Sequence, residues 1–105
     1  MSSLYCVMGL LKENICKMKV QLIYFAQIRQ RAGTDSDMVT VPEGSTVLSA
    51  LKTVDHGEGF QQLLFDESGS LRTFILVVVN GVLEGPHAIL SDNDQVQFIS
   101  PISGG

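Results

Sequence analysis

The chain has 105 residues, of which 45% are hydrophobic and 17% charged, and its net charge is -4. This length and composition predict one folded domain with its own hydrophobic core and exclude a disordered chain. The acidic balance argues against nucleic acid as a partner, because phosphate binding needs clustered Lys or Arg. A protein partner with a basic surface fits the charge better.

Residues 1–17 are predicted to form an N-terminal extension that is either irregular or a short helix. Leu4, Val7, Leu11 and Ile15 recur at the spacing of one helix face. The apolar stretch of the extension is too short to span a bilayer, and it lacks the flanking residues of a secretory signal. No membrane partner is therefore expected.

Both cysteines, Cys6 and Cys16, fall within this extension, where they could not staple the rest of the domain. This cysteine usage indicates a reducing compartment. We therefore expect a cytoplasmic protein whose domain covers residues 18–105.

The domain is predicted to begin with a β-hairpin. Residues 19–26 are rich in β-branched and aromatic side chains, which indicates a strand buried on both faces. The polar segment that follows is interpreted as a connection in which Gly33 and Asp35 supply the turn chemistry. Residues 38–41 form the second predicted strand.

Helical structure is predicted in the middle of the chain. Ser45 or Thr46 can act as the N-cap of a helix that ends near Val54, since apolar residues recur there at helical spacing. A short helical turn is predicted around Phe60.

The strongest strand signal lies at residues 74–79, which are all apolar, as is typical of a central strand. Asn80 and Gly81 are the preferred pair for a type I′ turn into a short return strand. Residues 95–100 form the last predicted strand, and Pro101 ends it because proline lacks a backbone donor.

This order of elements predicts an α+β domain with the β-grasp, or ubiquitin-like, fold. Such a domain has a mixed sheet packed on one main helix. The crossover after the first hairpin is long enough to place the first and last strands side by side in parallel.

No internal metal site or active site is expected. His56 and His87 are interpreted as solvated loop residues, because neither lies near a cysteine or a carboxylate cluster at ligand spacing. Residues 92–94 resemble the start of a calcium loop but lack its glycine and closing glutamate, which indicates a simple turn.

The chain ends in Gly104 and Gly105, directly after the last predicted strand. Glycine has no Cβ, so such a tail can pass extended through a narrow channel and bring the α-carboxylate of Gly105 to a catalytic centre in another protein. The alternative is a frayed terminus, since terminal residues are usually poorly ordered.

Two stretches carry a resemblance to a known family: "YFAQIRQRAGTD" at residues 24–35 and "FISPISGG" at residues 98–105. On these stretches, residues 18–105 resemble the small subunits of molybdopterin synthase (MoaD-like). These subunits belong to the ubiquitin-like sulfur carriers, which also include the thiamine-pathway carrier. The departures are Ser100, where the family often has a second proline, and the added residues 1–17.

The resemblance implies a carrier cycle centred on Gly105. An E1-like activating enzyme would use ATP to adenylate the carboxylate, and a sulfur donor protein would convert the adenylate to a thiocarboxylate. In a heterotetramer with the large subunit of molybdopterin synthase, the terminal sulfur would attack the cyclic pterin precursor of the molybdenum cofactor. The residues expected to contact partners are Phe98, Pro101, Ile102, Ser103 and Gly104.

By the same resemblance the chain is a carrier subunit rather than a catalyst, with no bound cofactor or metal and with the catalytic residues on the large subunit. Two alternatives stay open. The chain could be a sulfur carrier for another acceptor, such as thiamine thiazole or a thiolated tRNA base. It could also be a ubiquitin-like protein modifier or adaptor.

Overall fold

The computed structural model describes residues 5–8 and 14–100, and their side chains from residue 16 onward. Six strands in this part of the chain form one sheet, and three short helices connect them. The strands are β1 (Tyr5–Met8), β2 (Asn14–Tyr24), β3 (Ser36–Pro42), β4 (Leu76–Val79), β5 (Val82–Glu84) and β6 (Gln95–Ile99). The helices are α1 (Ala26–Ala32), α2 (Val47–Leu51) and α3 (Glu58–Leu64).

The strand order is β1-β2-β6-β4-β5, and β3 pairs with the other edge of β2. β2 and β6 are parallel, whereas the other pairs are antiparallel. The predicted hairpin and the predicted parallel contact between the first and last strands of the domain are both confirmed. In the order β3-β2-β6-β4-β5, β6 has two strands on each side, so it is the central strand of the sheet.

The core lies on one face of the sheet. From Met18 onward, every second residue of β2 is buried there, with at most 1% of its surface exposed: Met18, Val20, Leu22 and Tyr24. The prediction that this strand is buried on both faces is wrong, because Ile23 lies on the opposite face and is only half-buried. The helices close the core with Ile28, Leu51, Phe60 and Leu64.

Helix α1 was not predicted. The polar segment interpreted as a connection is helical over Ala26–Ala32, and only Ile28 of this helix is buried. A single buried residue leaves no apolar periodicity for the sequence to show. Gly33 ends the helix in the left-handed region (φ 75°) and its N–H donates to Arg29 O, so its predicted role in the turn is confirmed.

The other two helices agree with prediction in position. Thr46 is the N-cap of α2, and its Oγ1 accepts a hydrogen bond from Ser49 N at 3.2 Å. This helix ends at Leu51, earlier than the predicted Val54. The predicted helical turn around Phe60 is the full helix α3.

Strand β4 is shorter than predicted and alternates between two faces. Val77 is in the core with 1% of its surface exposed, whereas Val78 is only half-buried on the other face. Asn80 and Gly81 both have positive φ, 50° and 86°, as a type I′ turn between β4 and β5 requires. The predicted tight turn is therefore confirmed.

The described part of the N-terminal extension is neither helical nor irregular. Residues 5–8 form β1, which pairs antiparallel with the start of β2. Lys17 has a register partner on each side, Tyr5 in β1 and Pro42 in β3. The extended backbone is favoured here because it satisfies the polar groups along both edges of β2. That residues 18–105 fold by themselves stays a prediction.

Within residues 5–8 and 14–100, no helix has the length and apolar character needed to cross a membrane.

Candidate functional site

The predicted site lies at the end of the central strand. β6 ends at Ile99, and the described chain ends one residue later at Ser100. Five of the six predicted site residues lie outside the described residues: Pro101, Ile102, Ser103, Gly104 and Gly105. The geometry of the site is therefore that of the tail base, which we define as Phe98–Ser100 together with the residues that contact it.

Phe98 is the one predicted site residue that the structure describes. It is fully buried (0% exposed), and its register partners are Tyr24 in β2 and Val77 in β4. The prediction that Phe98 contacts a partner is wrong, because the alternation of β6 directs its ring into the core. Its place in the site is to anchor the strand that carries the tail.

Tyr24 packs directly against this anchor. The ring centroids of Tyr24 and Phe98 are 6.2 Å apart with an interplanar angle of 29°. The Tyr24 hydroxyl donates a hydrogen bond of 2.7 Å to Asp37 Oδ2. Burial raises the pKa of Tyr24 well above its usual value, and the hydrogen bond to Asp37 and the charge of that carboxylate raise it further.

His56 completes this cluster, which corrects its interpretation as a solvated loop residue. Its side chain is half-buried and its Nε2 donates to Asp37 Oδ2, the same oxygen that accepts from Tyr24. The ring also lies edge-on to Phe60, with centroids 5.0 Å apart. Residues this far apart in sequence give no local signal for the cluster. His87 is exposed, as predicted.

The chain bends sharply where β2 ends, beside the tail base. Phe25 N donates to Phe98 O at 3.2 Å, which ties this bend to β6. The next residue, Ala26, has φ 52°, a left-handed conformation that costs a non-glycine residue free energy. Helix α1 begins at this point and carries two exposed cations, Arg29 and Arg31, in its last turn.

Ser100, the last described residue, is buried, with 6% of its surface exposed. Its Oγ has no hydrogen-bond partner among the described residues. Buried hydroxyls are nearly always paired, because leaving one unpaired costs about 1–3 kcal/mol. Ser100 therefore brings an unused donor and acceptor to the tail base.

The outer face of the sheet, opposite the core, carries an apolar patch beside the tail base. Ile99 lies directly opposite Leu76, and Val78 lies opposite Leu83. Leu76 is 39% exposed, Leu83 65% and Phe25 38%. We name these five residues, Phe25, Leu76, Val78, Leu83 and Ile99, the tail-side patch.

Apolar side chains exposed on one face of a sheet in this way are typical of a protein interaction site. The tail-side patch was not predicted, because the sequence indicates a central strand at residues 74–79 without separating its two faces. The alternation between Val77 and Val78 was the available signal, but a run of apolar residues hides which face each one occupies.

Metal-binding geometry is not found in the described part of the chain, where no three His, Cys, Asp or Glu side chains are grouped. The predicted turn at residues 92–94 is confirmed. The carboxylate of Asp94 is occupied by structural hydrogen bonds, accepting at 2.7 Å from both Ser91 N and Asn80 Nδ2.

The mixed sheet defines a ubiquitin-like β-grasp domain, as predicted. Its first hairpin and its last strand meet in parallel through β2 and β6. The ThiS family matches residues 22–105, up to the terminal glycines, and the chain belongs to this family. Curated proteins give no significant match.

Solved structures of ubiquitin-like carriers and modifiers are similar to this chain. Small archaeal modifier protein 1 (SAMP1) from Haloferax volcanii has 26% identity and a TM-score of 0.75, over 83% of this chain and 99% of that one. The putative molybdopterin converting factor, subunit 1, from Pyrococcus furiosus has 30% identity and a TM-score of 0.64, over 81% and 99%. The third similar structure is that of CysO in the BexX/CysO complex of Amycolatopsis orientalis. It has 26% identity and a TM-score of 0.62, over 82% of this chain and 99% of that one.

Proposed function

We propose that this chain is a cytoplasmic sulfur carrier that serves as the small subunit of molybdopterin synthase. The proposal is supported by the position of the chain's C-terminal end in the family match and in the sheet. The family match continues through Gly105, and the described domain delivers that tail from its central strand, beside the tail-side patch. The reactive group would be the α-carboxylate of Gly105.

The chemistry begins with activation, because a carboxylate is a poor electrophile. An E1-like enzyme would join the Gly105 carboxylate to the AMP part of ATP and release pyrophosphate. A sulfur donor protein would then supply sulfur at the oxidation level of sulfide, which attacks the acyl carbon, and AMP would leave with one carboxylate oxygen. The product is a thiocarboxylate at Gly105, and ATP is bound by the activating enzyme rather than by this chain.

Transfer would take place in the large subunit, which contributes the pterin pocket and the acid–base residues. The terminal sulfur is the nucleophile that attacks the cyclic pterin precursor. Two carriers in turn would supply the two dithiolene sulfurs. Glycines at positions 104 and 105 suit this step, since a tail without side chains can enter a narrow channel.

Docking would use the tail-side patch. Its residues lie beside the last described residues of β6, so a partner seated on them would receive the tail that follows Ser100. The buried anchor Phe98 and its stacking partner Tyr24 hold that point in place. The activating enzyme and the large subunit would bind this surface in turn.

The similarity to a putative molybdopterin converting factor subunit favours the molybdenum route over a thiamine or tRNA route. The similarity to a small archaeal modifier protein favours a second candidate, conjugation of Gly105 to lysines of other proteins. The two functions differ in the bond that Gly105 finally forms. A modifier yields isopeptide-linked species on denaturing gels, whereas a carrier is recovered unmodified or as its thiocarboxylate.

The deciding experiment combines the full chain with an activating enzyme, ATP and a sulfur donor. We expect intact-mass spectrometry to show one oxygen replaced by sulfur, with the change located at Gly105. Adding the large subunit and the precursor should return the carrier to its original mass as the pterin gains sulfur. A matched control carries one extra residue after Gly105, which keeps both glycines but moves the carboxylate. Equal sulfur loading of that control, or no loading of the parent, would contradict the proposal.

A further inference from the structure

The two cysteines of the chain lie directly opposite each other. Cys6 in β1 and Cys16 in β2 are register partners in the antiparallel pair. Cys16 is half-buried and disulfide-bonded, and Cys6 is the only other cysteine in the sequence. This differs from the expectation that the cysteines cannot staple the domain, because Cys16 belongs to a strand of the sheet itself.

The backbone hydrogen bonds show what kind of pair this is. Cys16 O accepts from Glu43 N at 2.7 Å, so the backbone polar groups of Cys16 point toward β3 and away from β1. Cys6 and Cys16 therefore form a non-hydrogen-bonded pair, for which the Cα atoms are about 4.5 Å apart. Disulfides span Cα separations of about 4.4–6.8 Å, so this register position suits one.

We propose that Cys6 and Cys16 form a reversible disulfide, a redox-sensitive staple between β1 and β2. One cysteine thiolate attacks a low-molecular-weight disulfide such as oxidised glutathione, forms a mixed disulfide and releases one thiol. The second cysteine then attacks the mixed disulfide and releases the other thiol. The two cysteines lose two protons and two electrons, and the external disulfide is reduced to two thiols.

The staple decides whether β1 stays on the sheet. β1 has four residues and, in the described part of the chain, pairs with β2 alone, so few backbone hydrogen bonds hold it on the sheet. β1 covers the edge of β2 at Ile15 and Lys17, since β3 occupies the opposite edge. When the staple is reduced, that edge opens and its unpaired backbone groups can accept a strand from another chain.

The staple lies at the opposite end of β2 from the tail base. Cys16 and Tyr24 are separated by eight residues of extended strand, or about 27 Å. The inference is therefore independent of the proposed sulfur chemistry at Gly105. In a reducing compartment the disulfide is reduced, and it forms when the concentration of oxidised low-molecular-weight thiols, such as oxidised glutathione, increases.

The test equilibrates the full chain in glutathione buffers of increasing oxidised fraction, blocks thiols by alkylation and measures intact mass. We expect a direct change from the doubly alkylated chain to an unalkylated chain that has lost two hydrogens. Cys6→Ser and Cys16→Ser are the controls, and each should instead carry one glutathione. A parent chain that accumulates two glutathiones, or a disulfide-linked dimer, would overturn the proposal.

A second readout follows the edge of β2 by amide hydrogen exchange. In the oxidised parent we expect the Lys17 amide to exchange at least about tenfold more slowly than in the reduced parent or in Cys6→Ser, because local opening limits exchange. The Gln97 amide, in the central strand, should be unchanged in all three. Equal exchange at Lys17 in the oxidised and reduced chains would show that the disulfide does not hold β1.

Discussion

Tyr24 Oη donates a hydrogen bond of 2.7 Å to Asp37 Oδ2, across the hairpin formed by β2 and β3. His56, from the loop between α2 and α3, donates to the same oxygen. Because the ring of Tyr24 also stacks on Phe98, one carboxylate connects the hairpin, the helical layer and the strand that carries the tail. Substitutions in this cluster should therefore affect both the stability of the domain and the position of the tail base.

The first prediction concerns alkaline stability. The pKa of Tyr24 is raised in the folded protein, chiefly by burial, whereas an unfolded tyrosine titrates near about 10. The neutral hydroxyl thus contributes stability in full below pH of about 10, and this contribution is lost as the pH rises from there toward the folded pKa. We expect the free energy of unfolding to fall above that pH, as measured by urea denaturation.

Tyr24→Phe is the control for this prediction. It should lose about 1–2 kcal/mol at neutral pH, because the hydrogen bond to Asp37 is gone. Above pH of about 10 it should lose less further stability than the parent, since the titrating group is absent. Parallel curves for the two proteins between neutral and alkaline pH would contradict the assignment to Tyr24.

The second prediction compares two neighbouring residues of β4. Val77→Asp places an unpaired charge in the core and should cost several kcal/mol, of the roughly 5–15 kcal/mol available to a domain. We expect this variant to be unfolded by circular dichroism at 25 °C.

Val78→Asp is the matched variant, because Val78 is half-buried on the outer face. It should remain folded with a loss of about 1 kcal/mol, as is usual for substitutions outside the core. If both faces of β4 were buried in the core, both variants would unfold. Unfolding of both variants would mean that the outer face is covered within the domain.

These comparisons indicate what the sequence could and could not predict. The turn at Asn80 and Gly81, the cap at Thr46 and the parallel contact of β2 with β6 follow from local chemistry and chain order, and each is confirmed. Helix α1 was missed because its polar residues face solvent and only Ile28 is buried. Long-range hydrogen bonds such as that of His56 leave no local signal in the sequence, so they can be identified only once the fold is known.

The third prediction concerns the strained start of α1. Ala26 has φ 52°, which costs a non-glycine residue about 1–2 kcal/mol, whereas glycine adopts this conformation without strain. Ala26→Gly should therefore raise the free energy of unfolding by up to about 1 kcal/mol, after the greater entropy of the unfolded glycine is subtracted. Chemical denaturation of the two proteins measures the difference.

Ala32→Gly is the control within the same helix. Ala32 lies at the last position of α1 without a positive φ and packs partly against the core. Glycine there should destabilise the protein by about 0.5–1 kcal/mol. If Ala26→Gly destabilised the protein as much as Ala32→Gly, the left-handed conformation at Ala26 would be ruled out.

The fourth prediction concerns the docking surface. Leu76→Glu should weaken binding to the large subunit and to the activating enzyme by at least about tenfold, since a charge would be buried at the tail-side patch. Met38→Glu is the control. Met38 is also an exposed apolar strand residue (63%), but it lies in β3, opposite Gln21 of β2 and outside the tail-side patch. Isothermal titration calorimetry should separate the two variants, and equal weakening would remove the tail-side patch as the docking site.

The last prediction separates function from folding at Gly104. A valine there adds bulk and restricts the backbone, so it should block entry of the tail into a narrow channel and reduce sulfur transfer by at least about tenfold. The melting temperature should be nearly unchanged, because the described core lies wholly within residues 18–98. Gly85→Val is a suitable control, since a Cβ at Gly85 meets nothing within 4 Å and its φ is not positive. That control should load and transfer sulfur normally. Normal transfer by Gly104→Val would instead show that the tail does not enter a channel, whereas a large fall in its melting temperature would show that the tail is part of the fold.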